Sequence, residues 1–256
     1  MSWNPFSRHT GSKKSLGVSR HAERELERDV KKLEELEEAS KKLYKDGRRF
    51  TEANTALGKA EQKIVQGLMG SGLCQCDESF QADMVTWESQ LEELQRHRQD
   101  MNSNIQKTFV DPMKKFSSVF PAVQSAVKKR DQSLQEYNKI KSKFSKYQEK
   151  ERTGQNIVKL DSNRKALDIA QKEFDTQDNA VRQDVAKLYE GRTEYFRPSF
   201  GALVRSQLTY NTEAFKMYSA VASELFRNSK CSENERKDRM KQTLADMKAL
   251  SITKDD

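Results

Sequence analysis

The chain has 256 residues, of which 34% are hydrophobic and 34% charged, against roughly 45–50% apolar and about 25% charged in an average soluble protein. That composition is too polar for a spherical core of this size and suits long helices, each burying one stripe. The net charge of +8 favours an acidic partner such as nucleic acid, anionic lipid or an acidic protein surface, and no apolar run approaches the 18 residues of a membrane-spanning helix.

Residues 1–22 stand apart as a basic N-terminal segment. They hold Trp3, Phe6, Leu16 and Val18 with Arg8, Lys13, Lys14 and Arg20, and no acid precedes Glu23. Pro5, Gly11 and Gly17 oppose a helix in water. A disordered tail and a transit-peptide-like leader both fit this composition. No signal-peptide apolar core is present, so the chain is expected inside the cell.

A first long helix is predicted from about residue 20. Leu26, Val30, Leu33, Leu36, Leu43, Phe50, Leu57 and Ile64 recur at steps of three, four or seven, the spacing of a coiled-coil stripe. Gly47 is expected to loosen it, and the glycines at 67, 70 and 72 to end it. Cys74 and Cys76 are too close for an ordinary zinc pair and have no histidine nearby, so with Cys231 they read as free thiols. No metal or cofactor is expected.

A second helix is predicted to begin at Asp77–Ser79, residues suited to capping. Its stripe runs through Phe80, Met84, Trp87, Leu91, Leu94, Met101 and Ile105, and on to Tyr137, Ile140, Phe144 and Tyr147. Unbroken to Arg152-Thr153-Gly154, it would be about 110 Å long. A third helix follows, from Ile157 to Leu225. Residues 231–256 form a tail with a possible short helix carrying Met240, Leu244, Met247 and Leu250 on one side.

Short connections between long helices imply an antiparallel three-helix bundle, with residues 23–230 as its domain. Pro112 lies 41 residues before Thr153 and Pro198 lies 45 after it, so both fall at nearly one level of such a bundle. Each removes a helix hydrogen bond, and with Pro121 they are the expected kink positions. Around the second turn the bases concentrate. Residues 128–165 hold twelve, among them Lys128, Lys129, Arg130, Lys139, Lys143, Lys146, Lys150, Arg152 and Lys159, against five acids. Lys139, Lys143, Lys146 and Lys150 are spaced four, three and four, which makes one stripe beside the apolar one. The neighbouring aromatics fall on the apolar stripe, where they serve a core rather than base stacking, so no nucleic acid is expected. His9, His21 and His97 are scattered outside any nucleophile motif, and the 67–72 glycines lack the Lys-Ser/Thr ending of a phosphate loop. The chain does not read as an enzyme.

Several blocks resemble the BAR domain of the amphiphysin and bridging-integrator family. They are Asp111-Pro112-Met113-Lys114-Lys115-Phe116, Val127-Lys128-Lys129-Arg130 followed by Tyr137, and Leu188-Tyr189, Arg192, Tyr195-Phe196 and Pro198-Ser199-Phe200. The opening Met1-Ser2-Trp3-Asn4-Pro5-Phe6 and the ending Ala249-Leu250-Ser251-Ile252 look like the short members that lack an SH3 domain. The resemblance implies an all-α fold, an elongated, kinked antiparallel three-helix coiled-coil bundle that forms a crescent-shaped homodimer. It also implies a cytoplasmic module, peripheral on membranes, that senses or generates curvature on anionic phospholipid and is linked to actin organisation, endocytosis or cell division. A heterodimer with an SH3-bearing BAR protein is a further implication. The nine bases named above become the expected lipid-binding set, and Trp3, Phe6, Leu16 and Val18 the expected membrane-insertion set. The other reading of the residues is a coiled-coil adaptor that binds acidic cytoskeletal surfaces without shaping a membrane.

Overall fold

The computed structural model of the chain describes residues 19–75, 77–225 and 232–250. Trp3, Phe6, Leu16 and Val18 lie outside these residues. Helix α1 spans Arg20–Met69, and the short α2 spans Gly72–Gln75. Helix α3 (Glu78–Ile105) leads through a π-helical turn (Gln106–Val110) into α4 (Asp111–Ser117). Then come α5 (Phe120–Gln148), α6 (Gly154–Glu190), α7 (Arg192–Leu225) and α8 (Glu233–Lys248). Among the described residues there is no strand. Asp77 caps α3 by accepting from the Phe80 backbone N–H at 3.0 Å.

The second helix is therefore not the unbroken run that its periodicity suggests. A proline ring collides with the carbonyl four residues back, which for Pro112 is that of Thr108. The π-helical turn ends at Val110, two residues before it, with the Asp111 N–H bonded to the Gln106 carbonyl five residues back. The extra residue in that turn makes room for the ring. Pro121 sits in the first turn of α5, where its missing N–H has no helical partner to lose. The break before it, at Ser118 and Val119, closes with tight bonds to Lys115 (3.2 Å) and Phe116 (3.1 Å). The third helix is likewise divided, at Gly191, and Pro198 lies inside α7.

The helices group into two compact units. In the unit that contains the start of α1 to Ala53 and Asn102–Ser206, the two proline-bearing stretches lie side by side. The Tyr195 hydroxyl donates to the Pro112 carbonyl at 2.9 Å. Phe116 packs on Phe196 with ring centroids 4.7 Å apart, and Phe109 on Phe200 at 5.6 Å. Gly47 faces this cluster. A Cβ there would lie 2.9 Å from Phe109 Cε1 and 3.0 Å from Val110 Cγ2. Gly47 does not loosen α1; it lets α1 close onto the π-helical turn.

In the unit of Asn54–Met101 and the residues from Gln207 on, Val65, Leu91 and Leu94 form the core, flanked by Met69, Trp87 and Met217. A charge is buried in this unit. Arg98 is shielded from solvent and donates to Glu61 (2.6 Å), to the Tyr210 hydroxyl (2.7 Å) and to Gln95 (2.8 Å). The Tyr218 hydroxyl donates to the other Glu61 oxygen at 2.7 Å. Burial, then the bond to Glu61, raises the Tyr218 pKa above the ordinary phenol value. Gly58 leaves the space that the Arg98 guanidinium fills.

Gly47 and Gly67 lie on the same helix in opposite circumstances, since nothing lies within 4 Å of a Cβ at Gly67. Gly47→Val should destabilise by about 1–3 kcal/mol through overpacking. Gly67→Ala should instead stabilise, by up to about 1 kcal/mol, through helix propensity. Urea midpoints of the two variants check this.

Candidate functional site

Helices α5 and α6 pair as an antiparallel hairpin whose turn occupies residues 149–153. Thr153 caps α6 by accepting from the Asn156 N–H at 3.4 Å. The Asn156 side chain donates to the Glu151 carbonyl at 2.8 Å, and the Thr153 N–H donates to the same carbonyl at 2.9 Å. Between the helices Tyr137 stacks on Phe174 with centroids 6.0 Å apart, beside Ala170, Leu134, Ile140 and Leu167. The apolar stripe of α5 is thus spent on α6, and the polar faces turn outward.

Eight of the nine bases in the expected lipid-binding set are exposed: Lys128, Lys129, Lys139, Lys143, Lys146, Lys150, Arg152 and Lys159. Lys139 meets Glu136 at 3.4 Å with both side chains in solvent, a pair that contributes little. Lys150 lies over the Tyr147 ring at 4.6 Å, and that ring leaves its charge uncancelled. Lys143, Lys146, Arg152 and Lys159 form no ion pair with any described residue. Like charges at i and i+4 cost an isolated helix a few tenths of a kcal/mol per pair. Packing against α6 holds this row of lysines in place despite that repulsion. Charge left uncompensated within a molecule is available to an outside anion.

Arg130 departs from the set. Its side chain is 0% exposed and cannot face lipid in this structure. Its guanidinium donates to Asp178 Oδ1 at 2.7 Å, to Glu23 Oε2 at 2.9 Å and to Asp131 Oδ1 at 3.2 Å. It also lies over the Phe174 ring, 5.1 Å from its centre. Arg182 extends the cluster, donating to Asp178 Oδ2 at 2.7 Å and to the Ala22 carbonyl at 2.9 Å. One buried charge therefore joins α1, α5 and α6. Burial opposes the charge on Arg130, but Glu23 and Asp178 outweigh it and raise the pKa above the ordinary guanidinium value. Burial likewise opposes the charge on Asp178, and the bonds from Arg182 and Arg130 outweigh it and lower the pKa.

The sequence does hold a signal for this cluster. Arg130 lies on the apolar stripe of its own helix, three residues after Val127, four before Leu134 and seven before Tyr137. A base at an inward position belongs with a buried acid, whereas Lys128 and Lys129 fall off the stripe. Asp178 holds the equivalent place on α6, between Phe174 and Val181. Glu23, in the first turn of α1, has no such marker.

A family model described as "BAR domain" matches residues 8–227. The chain is 36% identical over 257 residues to "Bridging integrator 3" of Mus musculus, covering 100% of both chains. It is 28% identical over 152 residues to "Regulator of cytoskeleton and endocytosis RVS161" of Candida albicans, covering 57% of this chain and 56% of that one. Among solved structures, the "Amphiphysin BAR domain from Drosophila" matches with a TM-score of 0.62 at 18% identity, over 85% of this chain and 100% of that one.

Arg130→Ala should leave Glu23 and Asp178 with Arg182 alone in a largely buried site and cost about 3–5 kcal/mol, whereas Lys143→Ala should stay within about 0.5 kcal/mol of the parent. Because the Asp178 pKa is depressed on folding, its contribution is complete above the ordinary carboxylate range. That contribution is lost as pH falls through the depressed value. Asp178→Asn should therefore lower stability at pH 7 and flatten its decline in acid, as read by thermal melts between pH 7 and pH 2.

Proposed function

The chain belongs to the BAR domain family, and we propose that it acts as a homodimer that binds anionic phospholipid membranes through the exposed bases of the α5–α6 hairpin and senses or generates curvature there. As a BAR domain chain it is a binding module and not an enzyme. The observation that carries the lipid reading is the largely uncompensated lysine row that runs along α5 into the turn at Lys150, continued by Arg152 in the turn and Lys159 at the start of α6. Each base near an anionic leaflet contributes on the order of 1 kcal/mol, and dimerisation doubles the number available. Among the described residues no helix is long and apolar enough to cross a membrane, which agrees with a peripheral attachment. Trp3, Phe6, Leu16 and Val18 are proposed as a second, apolar contribution by burial at the interface.

Support for a dimer comes from the unit that contains Glu61 and Arg98. There, helix α7 leaves Leu208 65% and Phe215 75% exposed, seven residues apart. Helix α1 leaves Leu57 and Ile64 exposed at the same spacing. Apolar side chains in two heptad-spaced rows suit a second helical copy, and a two-fold pair is the commonest closed arrangement. A heterodimer with an SH3-bearing BAR protein would use the same rows. The name of the Candida albicans relative joins cytoskeleton and endocytosis, which supports a place at actin-rich membrane sites.

Changing Lys143, Lys146 and Lys150 to Glu reverses six charge units per chain. Helicity and dimerisation should survive, and co-sedimentation with phosphatidylserine vesicles should fall at least tenfold. Wild-type binding should also weaken as salt shortens the Debye length to about 8 Å at physiological strength. Retained vesicle binding in the triple variant would remove the hairpin as the lipid site. Loss of actin co-sedimentation instead would point to the adaptor reading. Phe215→Glu should shift the chain from dimer to monomer in light scattering at micromolar concentration, while an unchanged mass would place the interface elsewhere.

A further inference from the structure

Ser142 is exposed on α5, within the sequence Lys139-Ile140-Lys141-Ser142-Lys143-Phe144-Ser145-Lys146. At about 100° per residue it points roughly 180° away from the apolar stripe formed by Tyr137, Ile140, Phe144 and Tyr147. It is the most outward-facing position of this stretch and borders the lysine row, with Lys139 three residues before it and Lys146 four after, its natural neighbours on a helix. Ser133, one part of the helix earlier, shows the contrast: it is half-buried and its hydroxyl donates to the Arg130 carbonyl at 2.8 Å. A hydroxyl presented to solvent between bases on both sides is the substrate pattern of a base-directed protein kinase. Its acceptor site lies within the surface whose charge matters most.

We propose that Ser142 is a phosphorylation site and that its phosphate is an electrostatic switch which releases the hairpin from anionic membrane; this rests on the lipid reading given above. In the forward step the Ser142 Oγ attacks the γ-phosphorus of ATP. The Oγ–P bond forms as the bond from that phosphorus to the β,γ-bridging oxygen breaks. ADP leaves, and the hydroxyl proton passes to the kinase's general base. A phosphatase returns the serine by hydrolysis, with water supplying the oxygen of the released phosphate.

The phosphate brings about −1.5 to −2 charges at pH 7 and three strong acceptor oxygens. The four lysines of the row carry four positive charges, so one phosphate removes up to half of their sum. It also engages lysines directly. Lys146 forms no ion pair with any described residue, and Lys139 has only its exposed contact with Glu136. Both lie within reach of a phosphate at position 142 and would turn toward it rather than toward lipid. The fold should not suffer, because the site is opposite the buried stripe and six residues before the end of α5 at Gln148. A phosphate at the very end of that helix would instead oppose the helix dipole.

The test uses the full chain. A protein kinase C catalytic domain and ATP are applied, the modified residue is located by mass spectrometry, and binding to phosphatidylserine vesicles is measured by co-sedimentation. Each base near a leaflet is worth about a fivefold change in binding, so the phosphorylated chain should bind on the order of tenfold or more weakly. Ser142→Glu should weaken binding in the same direction by a smaller factor, with unchanged helicity and unchanged dimer. Ser142→Ala should bind as wild type and become insensitive to the kinase. Absence of phosphate at Ser142, or a phosphorylated chain that binds as the unmodified one does, overturns the proposal. The triple glutamate variant of Lys143, Lys146 and Lys150 separates the two levels. If it loses binding while phosphorylation has no effect, the switch alone is wrong; if it too keeps binding, the hairpin is not the lipid site and both readings fall.

Discussion

The buried guanidinium of Arg130 is the interaction on which the hairpin-bearing unit depends. It satisfies Glu23 of α1 and Asp178 of α6 from α5, with Arg182 completing the group. Burying a charge is costly, and the attraction between partners offsets that cost only when the geometry is good and the remaining donors are paired. The planar fork of arginine meets this demand with several donors in fixed directions. Helices whose apolar residues repeat every seven positions could pair in more than one register. A displaced register would leave Arg130 facing hydrocarbon and take its donors from Glu23 and Asp178, so the cluster selects one alignment. Arg98 has the corresponding role in its own unit, where Glu61, Gln95 and the Tyr210 hydroxyl accept from it and the Tyr218 hydroxyl donates to the other Glu61 oxygen.

This arrangement divides the bases of the second turn into two kinds. Arg130 is inside and compensated. The lysines that follow it on α5 are outside and largely uncompensated. Both belong to one basic stretch of sequence, and the difference between them is angular. Position 130 continues the row of Val127, Leu134 and Tyr137, while 139, 143 and 146 fall on nearly the opposite side of the helix. The same helix thus spends one base on holding the bundle together and leaves the others in solvent.

How much of this could be read in advance follows the same geometry. Steps of three and four located the long helices, and the capping residue Asp77 and the glycines after Gln66 marked where they change. The steps of seven were read as plain heptads, yet the positions skipped in them are informative. They include Ser40 and Gly47 on α1, Arg98 on α3, Arg130 on α5 and Asp178 on α6, which are small or polar and sit inward. Leu57 and Ile64, counted on the apolar stripe, are exposed, because the inward face of α1 has drifted to Gly58 and Val65 by that point. The π-helical turn and the breaks at Ser118 and Gly191 left no periodic trace, since apolar residues recur across them at helical steps, Phe109 to Phe116 and Leu188 to Tyr195 among them. The level of Pro112 with Pro198 could be counted from Thr153, because both belong to stripes that share one turn.

The most direct test of the account is hydrogen–deuterium exchange of the full chain on phosphatidylserine vesicles, compared with phosphatidylcholine vesicles and with buffer. The account predicts slowed exchange in peptides from the end of α5, the 149–153 turn and the start of α6, on the anionic vesicles alone and lost at high salt. Peptides around Glu23, Arg130 and Asp178 should be equally protected in all three conditions. Unchanged exchange at the turn, with protection appearing only in α8 or around Phe215, would contradict it.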